Sequence, residues 1–251
     1  MDKHYSIKNA FSAAFNTLIG YKEEFFKLII FDFLVIFQLI LFPLLKTMPL
    51  AGMSGKIFIA SLYILNIVFM LAGMAMFLQA YKRKQVSFVK GLNKVATAKM
   101  IGKFLLLVLI GISFSLVFCL PLVFVLSFIY MSIPMYATII NGILVTAALV
   151  VIFYFVGRSS LFATQALIDG NSSFEALKKS YSIASAKLLL TVVGFVFLWG
   201  GIAGLLAVPI VIVSSSALKV IAVFFMSCVT LAVRLLISGT LTHLYFQLKD
   251  Q

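Results

Sequence analysis

The sequence predicts an all-α polytopic membrane protein with six transmembrane helices and short amphipathic helices on its cytoplasmic side. Residues 104–157 contain no Lys, Arg, Asp or Glu, whereas one span needs only about 20 apolar residues. This stretch therefore predicts two spans joined by a turn between Tyr130 and Tyr136. Hydrophobic residues make up 63% of the chain, charged residues 11%, and the mean hydropathy is +1.18. A water-soluble domain of this size could not bury that much apolar surface.

Six apolar runs define the predicted spans, which form one integral membrane domain over residues 1–251. Each run should be helical, because lipid offers no hydrogen-bond partner to the backbone. The predicted spans are Leu28–Leu45, Ile57–Leu78, Phe104–Tyr130, Met135–Gly157, Leu188–Val213 and Val220–Leu248.

The distribution of basic residues predicts the orientation of these spans. Sixteen of the 20 Lys and Arg residues lie in the N-terminal segment, the second and fourth connections and the C-terminal tail. Only Lys46, Lys56 and Lys219 lie on the opposite side, and Arg234 is inside the last span. Because cytoplasmic loops carry the excess of bases, both termini should be cytoplasmic.

The net charge of +13 indicates membrane lipid as a partner rather than nucleic acid, because the bases lie between apolar runs. We therefore expect contacts with anionic lipid head groups, while protein partners stay open. The predicted head-group contacts are Lys82, Arg83, Lys84, Lys90, Lys94, Lys178 and Lys179.

Three cytoplasmic segments, Ser6–Lys22, Ser87–Lys103 and Ser172–Lys187, combine bases with regularly spaced apolar residues. They predict interfacial helices with Ser6, Ser87 and either Ser172 or Ser173 as N-caps. The predicted apolar faces comprise Ile7, Phe11, Ala14 and Leu18 in the first segment, Phe88, Leu92 and Val95 in the second, and Phe174, Leu177, Tyr181 and Ala184 in the third. The alternative is that these segments are solvated linkers with accidental periodicity.

The same three serines indicate a weak internal repeat. Each is followed four and five positions later by a small residue and a large apolar residue, at spacings of 81 and 85 residues between serines. Each segment then leads into two predicted spans. The order of elements predicts three copies of an interfacial helix followed by a helical hairpin.

The ionisable residues do not form a catalytic pattern. The chain has seven carboxylates, and six of them lie at the predicted cytoplasmic rim. His4 and His243 lack the spacing of metal ligands, and no nucleophile elbow, P-loop or H-E-x-x-H pattern occurs. We therefore predict a non-enzymatic protein, with no catalytic residue, cofactor or metal site.

Three ionisable residues within or beside the spans are the main candidates for a functional site. Asp32 lies in the first span, Arg158 ends the fourth, and Arg234 lies in the last. A lone charge in hydrocarbon costs several kcal/mol, so such groups usually pair or face a wet cavity. The three could surround an anionic head group. Alternatively, Asp32 forms a structural ion pair with one arginine while the other extends to the interface. Either way, we expect Asp32 to contact Arg158 or Arg234.

The segments Gly157–Leu161, Ala166–Gly170 and Ser173–Tyr181 carry a family resemblance. This stretch resembles the YciC-like bacterial inner-membrane proteins, and it is similar to the membrane region fused to some glycerophosphodiester phosphodiesterases. The resemblance is strongest over about 45 residues and implies six helices in a bacterial cytoplasmic membrane. It implies no catalytic residues, because the phosphodiesterase domain has no counterpart here.

The sequence thus predicts a non-enzymatic inner-membrane protein that engages anionic lipid or another amphiphile. The alternative is a small transporter or an export or immunity factor that uses the polar site around Asp32, Arg158 and Arg234. A third class, an intramembrane lipid-modifying enzyme, would need a catalytic constellation that the sequence does not offer.

Overall fold

A computed structural model describes residues 6–45, 53–132, 157–194 and 216–249, together with the single helical positions 146, 154, 197 and 201. Within these ranges every regular element is an α-helix and there is no strand. The predicted all-α class is therefore confirmed.

The helices are numbered here in chain order. Their bounds are α1 Ile7–Gly20, α2 Lys22–Leu45, α3 Met53–Tyr81, α4 Phe88–Val95, α5 Ala98–Ser132, α6 Ala163–Ile168, α7 Ser173–Ile183 and α8 Ser216–Lys249. Residues 186–194 are also helical. The chain divides into two compact units, the first being Met1–Ile101 with Val193–Gln251 and the second Gly102–Val192.

Two of these helices are long and apolar enough to cross a membrane, namely Gly55–Tyr81 within α3 and Val220–Lys249 within α8. A third crossing is added if α4 and residues 98–113, which meet at 64°, form one broken span. These counts apply to the described residues alone. Nearly all of the predicted span Met135–Gly157 and most of Leu188–Val213 lie outside those residues. The number six therefore stays a prediction.

The three predicted serine N-caps are confirmed. The side chains of Ser6, Ser87 and Ser172 accept hydrogen bonds from the backbone N–H groups of Asn9, Lys90 and Glu175. Ser172 also forms a capping box, because the Glu175 side chain accepts a bond from its backbone N–H. Of the two serines left open in the third segment, Ser172 is the cap.

The helices that these caps begin are shorter than the predicted segments. α4 ends at Val95 because the Thr97 hydroxyl accepts a hydrogen bond from the Met100 N–H, at 3.2 Å, and begins α5. The Ser185 hydroxyl likewise accepts from the Leu188 N–H, at 3.2 Å, so Lys187 belongs to the next helix. The prediction that Ser87–Lys103 and Ser172–Lys187 each form one interfacial helix was wrong, because a second N-cap interrupts each segment.

The three capped helices share a pattern of burial. The fourth and eighth residues after each cap are buried, and these pairs are Ala10 and Ala14 in α1, Gly91 and Val95 in α4, and Ala176 and Ser180 in α7. Positions four apart lie on one face of a helix. The three capped helices therefore also share the positions that pack, which agrees with the predicted repeat, whose helical hairpins stay a prediction.

The neighbours of these helices also follow one rule. α4 packs on α3 and α7 on α6, which in each case is the helix before it, while α1 packs on α8 at the other end of the chain. In the first unit, small residues allow close approach. A Cβ at Gly91 would lie 3.0 Å from Met76 Cγ, and a Cβ at Gly239 would lie 2.9 Å from Ala14 Cβ.

Candidate functional site

Two charged residues are buried together in the first unit. Asp32, on α2, is completely buried, and the side chain of Arg234, on α8, is 18% exposed. Arg234 Nη2 forms an ion pair with Asp32 Oδ2, and Arg234 Nη1 donates to Asn66 Oδ1 at 3.1 Å. The contact joins α2, α3 and α8. Each charge lowers the cost of burying the other, so the pair adds no net charge to this part of the bundle.

The ion pair leaves some hydrogen-bonding capacity unused. Asp32 Oδ1 and Arg234 Nε are buried and have no hydrogen-bond partner in the part of the chain that the structure describes. Leaving a buried polar atom without a hydrogen bond costs about 1–3 kcal/mol. A small polar ligand or an ordered water that bonded to these two atoms would remove that cost.

Arg158 lies in the second unit and binds the end of α7. Its Nε donates to the Ala184 carbonyl at 2.5 Å, its Nη2 to the Tyr181 carbonyl at 3.0 Å, and its Nη1 to the Tyr154 hydroxyl at 2.7 Å. The guanidinium carbon also lies 4.2 Å from the centre of the Tyr181 ring. A cation that binds the last carbonyls of a helix opposes the negative end of its dipole. Arg158 thus fixes α7, and its membership of a cluster with Asp32 and Arg234 stays a prediction.

The N-terminus of α4 is held by two other helices and by its own cap. The Ser87 N–H donates to Gln79 Oε1 on α3 at 2.9 Å, and the Phe88 N–H donates to Glu24 Oε2 on α2 at 2.7 Å. The Ser87 hydroxyl accepts from the Lys90 N–H at 3.4 Å. Because the first N–H groups of a helix lack partners within it, these bonds fix α4 on the α2–α3 hairpin.

The apolar face of α4 packs on the protein. The Phe88 and Phe31 rings are 5.9 Å apart and nearly parallel, at 9°, and Val95 is completely buried. Gly91 lies against Ala72 and Met76 of α3. The second predicted apolar face is therefore real, but it contacts the α2–α3 hairpin, so the opposite side of α4 is the exposed one.

We expect the attachment of α4 to weaken in acid. Hydrogen bonds from Lys27 and from the Phe88 N–H lower the pKa of Glu24. A lowered pKa contributes stability that is complete above the ordinary value of 4.5 and is lost as the pH falls through the folded-state pKa. Amide exchange of residues 88–95, corrected for its intrinsic pH dependence, should therefore accelerate below pH 4.5. In Glu24→Gln the exchange should be faster at neutral pH and its acid-induced change should disappear. Equal pH dependence in both proteins would contradict this role for Glu24.

The connection between α3 and α4 contains an unusual backbone conformation. Arg83 has φ = +52°, in the left-handed region, and its N–H donates to the Ala80 carbonyl while the Lys84 N–H donates to the Gln79 carbonyl. A left-handed residue with these two hydrogen bonds at the end of a helix is usually glycine. α6 ends in the same way, with Gly170 at φ = +113°. An arginine in this conformation costs roughly 1 kcal/mol relative to glycine.

Arg83 is part of a group of exposed bases that we call the basic surface of α4. All its members are exposed: Lys82, Arg83, Lys84, Lys90 and Lys94. Glu24 is the acid next to it, and its carboxylate is already occupied by Lys27 and the Phe88 N–H. In the second unit Lys178 is exposed and Lys179 is half-buried.

The third predicted apolar face is divided in the structure, because Ala184 is completely buried whereas Phe174 lies outside. Phe174 is 67% exposed, whereas Ser173 and Ser180 are buried. The reason is hydrogen bonding: Ser180 Oγ accepts from the Phe162 N–H at 2.9 Å and donates to the Arg158 carbonyl at 2.7 Å. Ser173 Oγ donates to the Lys103 carbonyl at 2.9 Å. These bonds turn the serine side of α7 inward and leave Phe174 outside.

We expect Ser180→Ala to loosen the second unit. The substitution leaves the buried Phe162 N–H without its acceptor, which costs about 1–3 kcal/mol. Limited proteolysis should cut residues 157–185 faster than in the unmodified protein. Ser182→Ala is the matched control, because Ser182 is exposed and its hydroxyl bonds only locally, to the Lys179 carbonyl. Identical cleavage rates for the two variants would contradict the importance of the Ser180 bonds.

Other site types find no support within the described ranges. No group of three or more His, Cys, Asp or Glu residues that could hold a metal ion occurs among those residues. No family model, curated protein or solved structure matches the chain.

Sequence reasoning identified Asp32 and Arg234 but missed Asn66, which accepts a hydrogen bond from Arg234, and it missed Glu24 and Ser180. Of these, Ser180 had a usable signal, because it lies eight residues after the Ser172 cap, where α1 has the apolar Ala14. Glu24 had none, because an acid in the first turn of α2 with Lys27 three residues later is already explained within its own helix. Asn66 is a single amide in an apolar run, which fits either an interhelical contact or a lipid-exposed position.

Proposed function

We propose that this protein is a non-enzymatic, six-span protein of a bacterial cytoplasmic membrane, with cytoplasmic termini, which engages anionic lipid through its basic surfaces. The resemblance to YciC-like inner-membrane proteins, the distribution of bases and the two long apolar helices support this proposal. Two surfaces take part: the basic surface of α4, and Lys178 with Lys179 on α7.

The left-handed backbone conformation of Arg83 is the observation on which the proposal depends. A glycine would hold the end of α3 at lower cost, as Gly170 holds the end of α6. Backbone strain of this kind persists where the rest of the structure supports it, and it is concentrated at functional sites. Here the strained residue is a base between two other bases, Lys82 and Lys84. Arginine at this position therefore favours recognition of an anionic group, for which its planar guanidinium is suited.

The attachment of α4 also supports lipid engagement. Because the N-cap bonds and the Phe88 contact fix α4 on the hairpin, its exposed bases are presented without first ordering the helix. Each base near an anionic surface contributes about 1 kcal/mol, and the attraction is screened by salt. The bases act together in one 13-residue stretch from Lys82 to Lys94.

The proposal is tested with Arg83→Gly in the full-length protein. Native mass spectrometry should count fewer phosphatidylglycerol molecules retained after gentle extraction, with affinity reduced about fivefold for the loss of one base. The same variant should unfold at an equal or higher temperature, because glycine relieves the left-handed strain. Lower lipid retention with undiminished stability would separate a functional arginine from a structural one.

Lys22→Gln is the matched control, since Lys22 is an exposed base of the same unit outside the basic surface. It should retain as much phosphatidylglycerol as the unmodified protein. If Arg83→Gly and Lys22→Gln retain equal amounts, the basic surface is not a lipid site and the proposal fails.

A second candidate is transport or export of a small polar solute through the site of Asp32. One observation favours it: Asp32 Oδ1 and Arg234 Nε are buried without hydrogen-bond partners among the described residues. Native mass spectrometry of the same preparations tests it. A small molecule that is retained by the unmodified protein and lost in Asp32→Asn, with phosphatidylglycerol retention unchanged, would favour this candidate over the first.

A further inference from the structure

Two of the three serine-capped helices carry an apolar side chain at the same outward position. Val89 in α4 and Phe174 in α7 are the second residues after the caps Ser87 and Ser172. They are 58% and 67% exposed, respectively. Neither takes part in the buried face of its helix. Single exposed apolar residues are common on proteins, so it is the repetition of the position and its surroundings that call for an explanation.

Bases accompany both side chains. Lys90 and Lys94 follow Val89 on α4, and Lys178 lies one turn after Phe174 on α7, with Lys179 beside it. Lys90, Lys94 and Lys178 are exposed. An apolar side chain together with bases supplies the two signals that hold a protein segment on an anionic membrane surface, one through burial in the acyl region and one through attraction to phosphates. Long lysine side chains can reach head groups while their stems cover apolar surface.

The contacts that hold α4 and α7 on the protein restrict which of their side chains can enter a bilayer. An ordinary interfacial helix buries its whole apolar face in lipid. In α4 that face already contacts Phe31, Met76 and Ala72, and in α7 the Ser180 bonds hold the serine side of the helix on the protein. One side chain per helix is left to enter the lipid.

We propose that Val89 and Phe174 each insert into the boundary between the head groups and acyl chains of an anionic bilayer, while the neighbouring lysines contact lipid phosphates. This inference rests on the proposed lipid engagement and names the residues that enter the membrane. The protein fixes the opposite face of each helix, and therefore presets how far its side chain can reach.

The inference is tested by tryptophan fluorescence of the full-length protein in nanodiscs. Trp199, the chain's single tryptophan, is replaced by Phe, and a new tryptophan is introduced as Val89→Trp or Phe174→Trp. Both new side chains should fluoresce at shorter wavelength in phosphatidylglycerol discs than in detergent. Lipids brominated on the acyl chain should quench them strongly, and aqueous acrylamide weakly. Ser182→Trp, two turns after Phe174 on the exposed side of α7, is the control and should show the reverse order of quenching.

The outcomes separate this inference from the function on which it rests. If acrylamide quenches Trp at 89 and 174 as strongly as Trp at 182, the inference is overturned, even where native mass spectrometry still finds retained phosphatidylglycerol. If both tryptophans insert equally into neutral phosphatidylcholine discs, the insertion is real but the preference for anionic lipid is lost.

A second measurement does not depend on introducing the larger tryptophan side chain. Phe174→Cys and Val89→Cys, in a background without Cys119 and Cys228, can carry a nitroxide whose collisions with oxygen and with a water-soluble nickel complex report depth. Greater access to oxygen at both positions supports insertion. Greater access to nickel contradicts it.

Discussion

Replacing Asp32 with Asn should destabilise the protein by about 3 kcal/mol, because removing one partner of a buried pair leaves an uncompensated charge. Arg234 would remain largely buried, with Asn66 as its other partner. Unfolding in mixed micelles of rising dodecyl sulfate content would measure the loss. Arg234→Gln should cost a similar amount, and the double variant should recover part of both losses, since it removes both charges.

Glu23→Gln is the control for the Asp32 experiment, because Glu23 is an exposed acid on the same helix and should change stability little. If the two single substitutions are strictly additive in the double variant, the contact between Asp32 and Arg234 contributes no coupling energy. The pair would then be incidental to stability, and ligand binding would remain as the reason for two charges at this depth.

Gly239→Ala should be as damaging, although it adds only one methyl group. The new Cβ would lie 2.6 Å from Cζ and 2.7 Å from Cε1 of Phe77, and 2.9 Å from Ala14 Cβ. Phe77 and Ala14 are both completely buried, so neither can move aside without repacking α3 or α1. Overpacking of this kind costs about 1–3 kcal/mol, and it should appear as a lower unfolding temperature in detergent.

Gly102→Ala is the matched control for Gly239→Ala, because nothing lies within 4 Å of a Cβ at Gly102. It should be neutral or should stabilise α5 by up to about 1 kcal/mol through helix propensity. Adding Phe77→Leu to Gly239→Ala should recover part of the loss by removing the ring carbons that clash. Equal unfolding temperatures for the two glycine variants would show that α8 and α3 are packed less closely than the distances indicate.

The parts of the fold that were predictable from sequence depend on local chemistry. Serine caps satisfy backbone groups within three residues, so Ser6 and Ser87 could be identified from the chain alone, and the third cap could be narrowed to Ser172 or Ser173. Long apolar helices were predictable for a similar reason, because lipid leaves the backbone no alternative. The division of Ser87–Lys103 into two helices was missed, although Thr97 had the chemistry of a second cap.

The orientation of each capped helix was less predictable, because a helix face is chosen by partners distant in sequence. In α7 the pattern of apolar residues placed Phe174 and Ala184 on one face, but it could not show that the buried bonds of Ser180 to residues 158 and 162 decide which side packs on the protein. The site shows the same limit. The free-energy cost of burying a charge was enough to predict that Asp32 pairs with an arginine. The hydrogen bonds of Glu24 and Asn66, by contrast, depend on which helices are adjacent.

The contact between α1 and α8 has a consequence for the order in which the protein is made. Among the described helices, α1 leaves the ribosome before the others, and α8, on which it packs, leaves after them. Arg234 is likewise synthesised 202 residues after Asp32. During translation, therefore, the buried face of α1, formed by Ala10 and Ala14, and the Asp32 carboxyl have no partner on α8 until that helix has been synthesised. A chain cut short before residue 216 would lack both partners, and would leave the Ala10 and Ala14 face and the Asp32 carboxyl uncovered by α8.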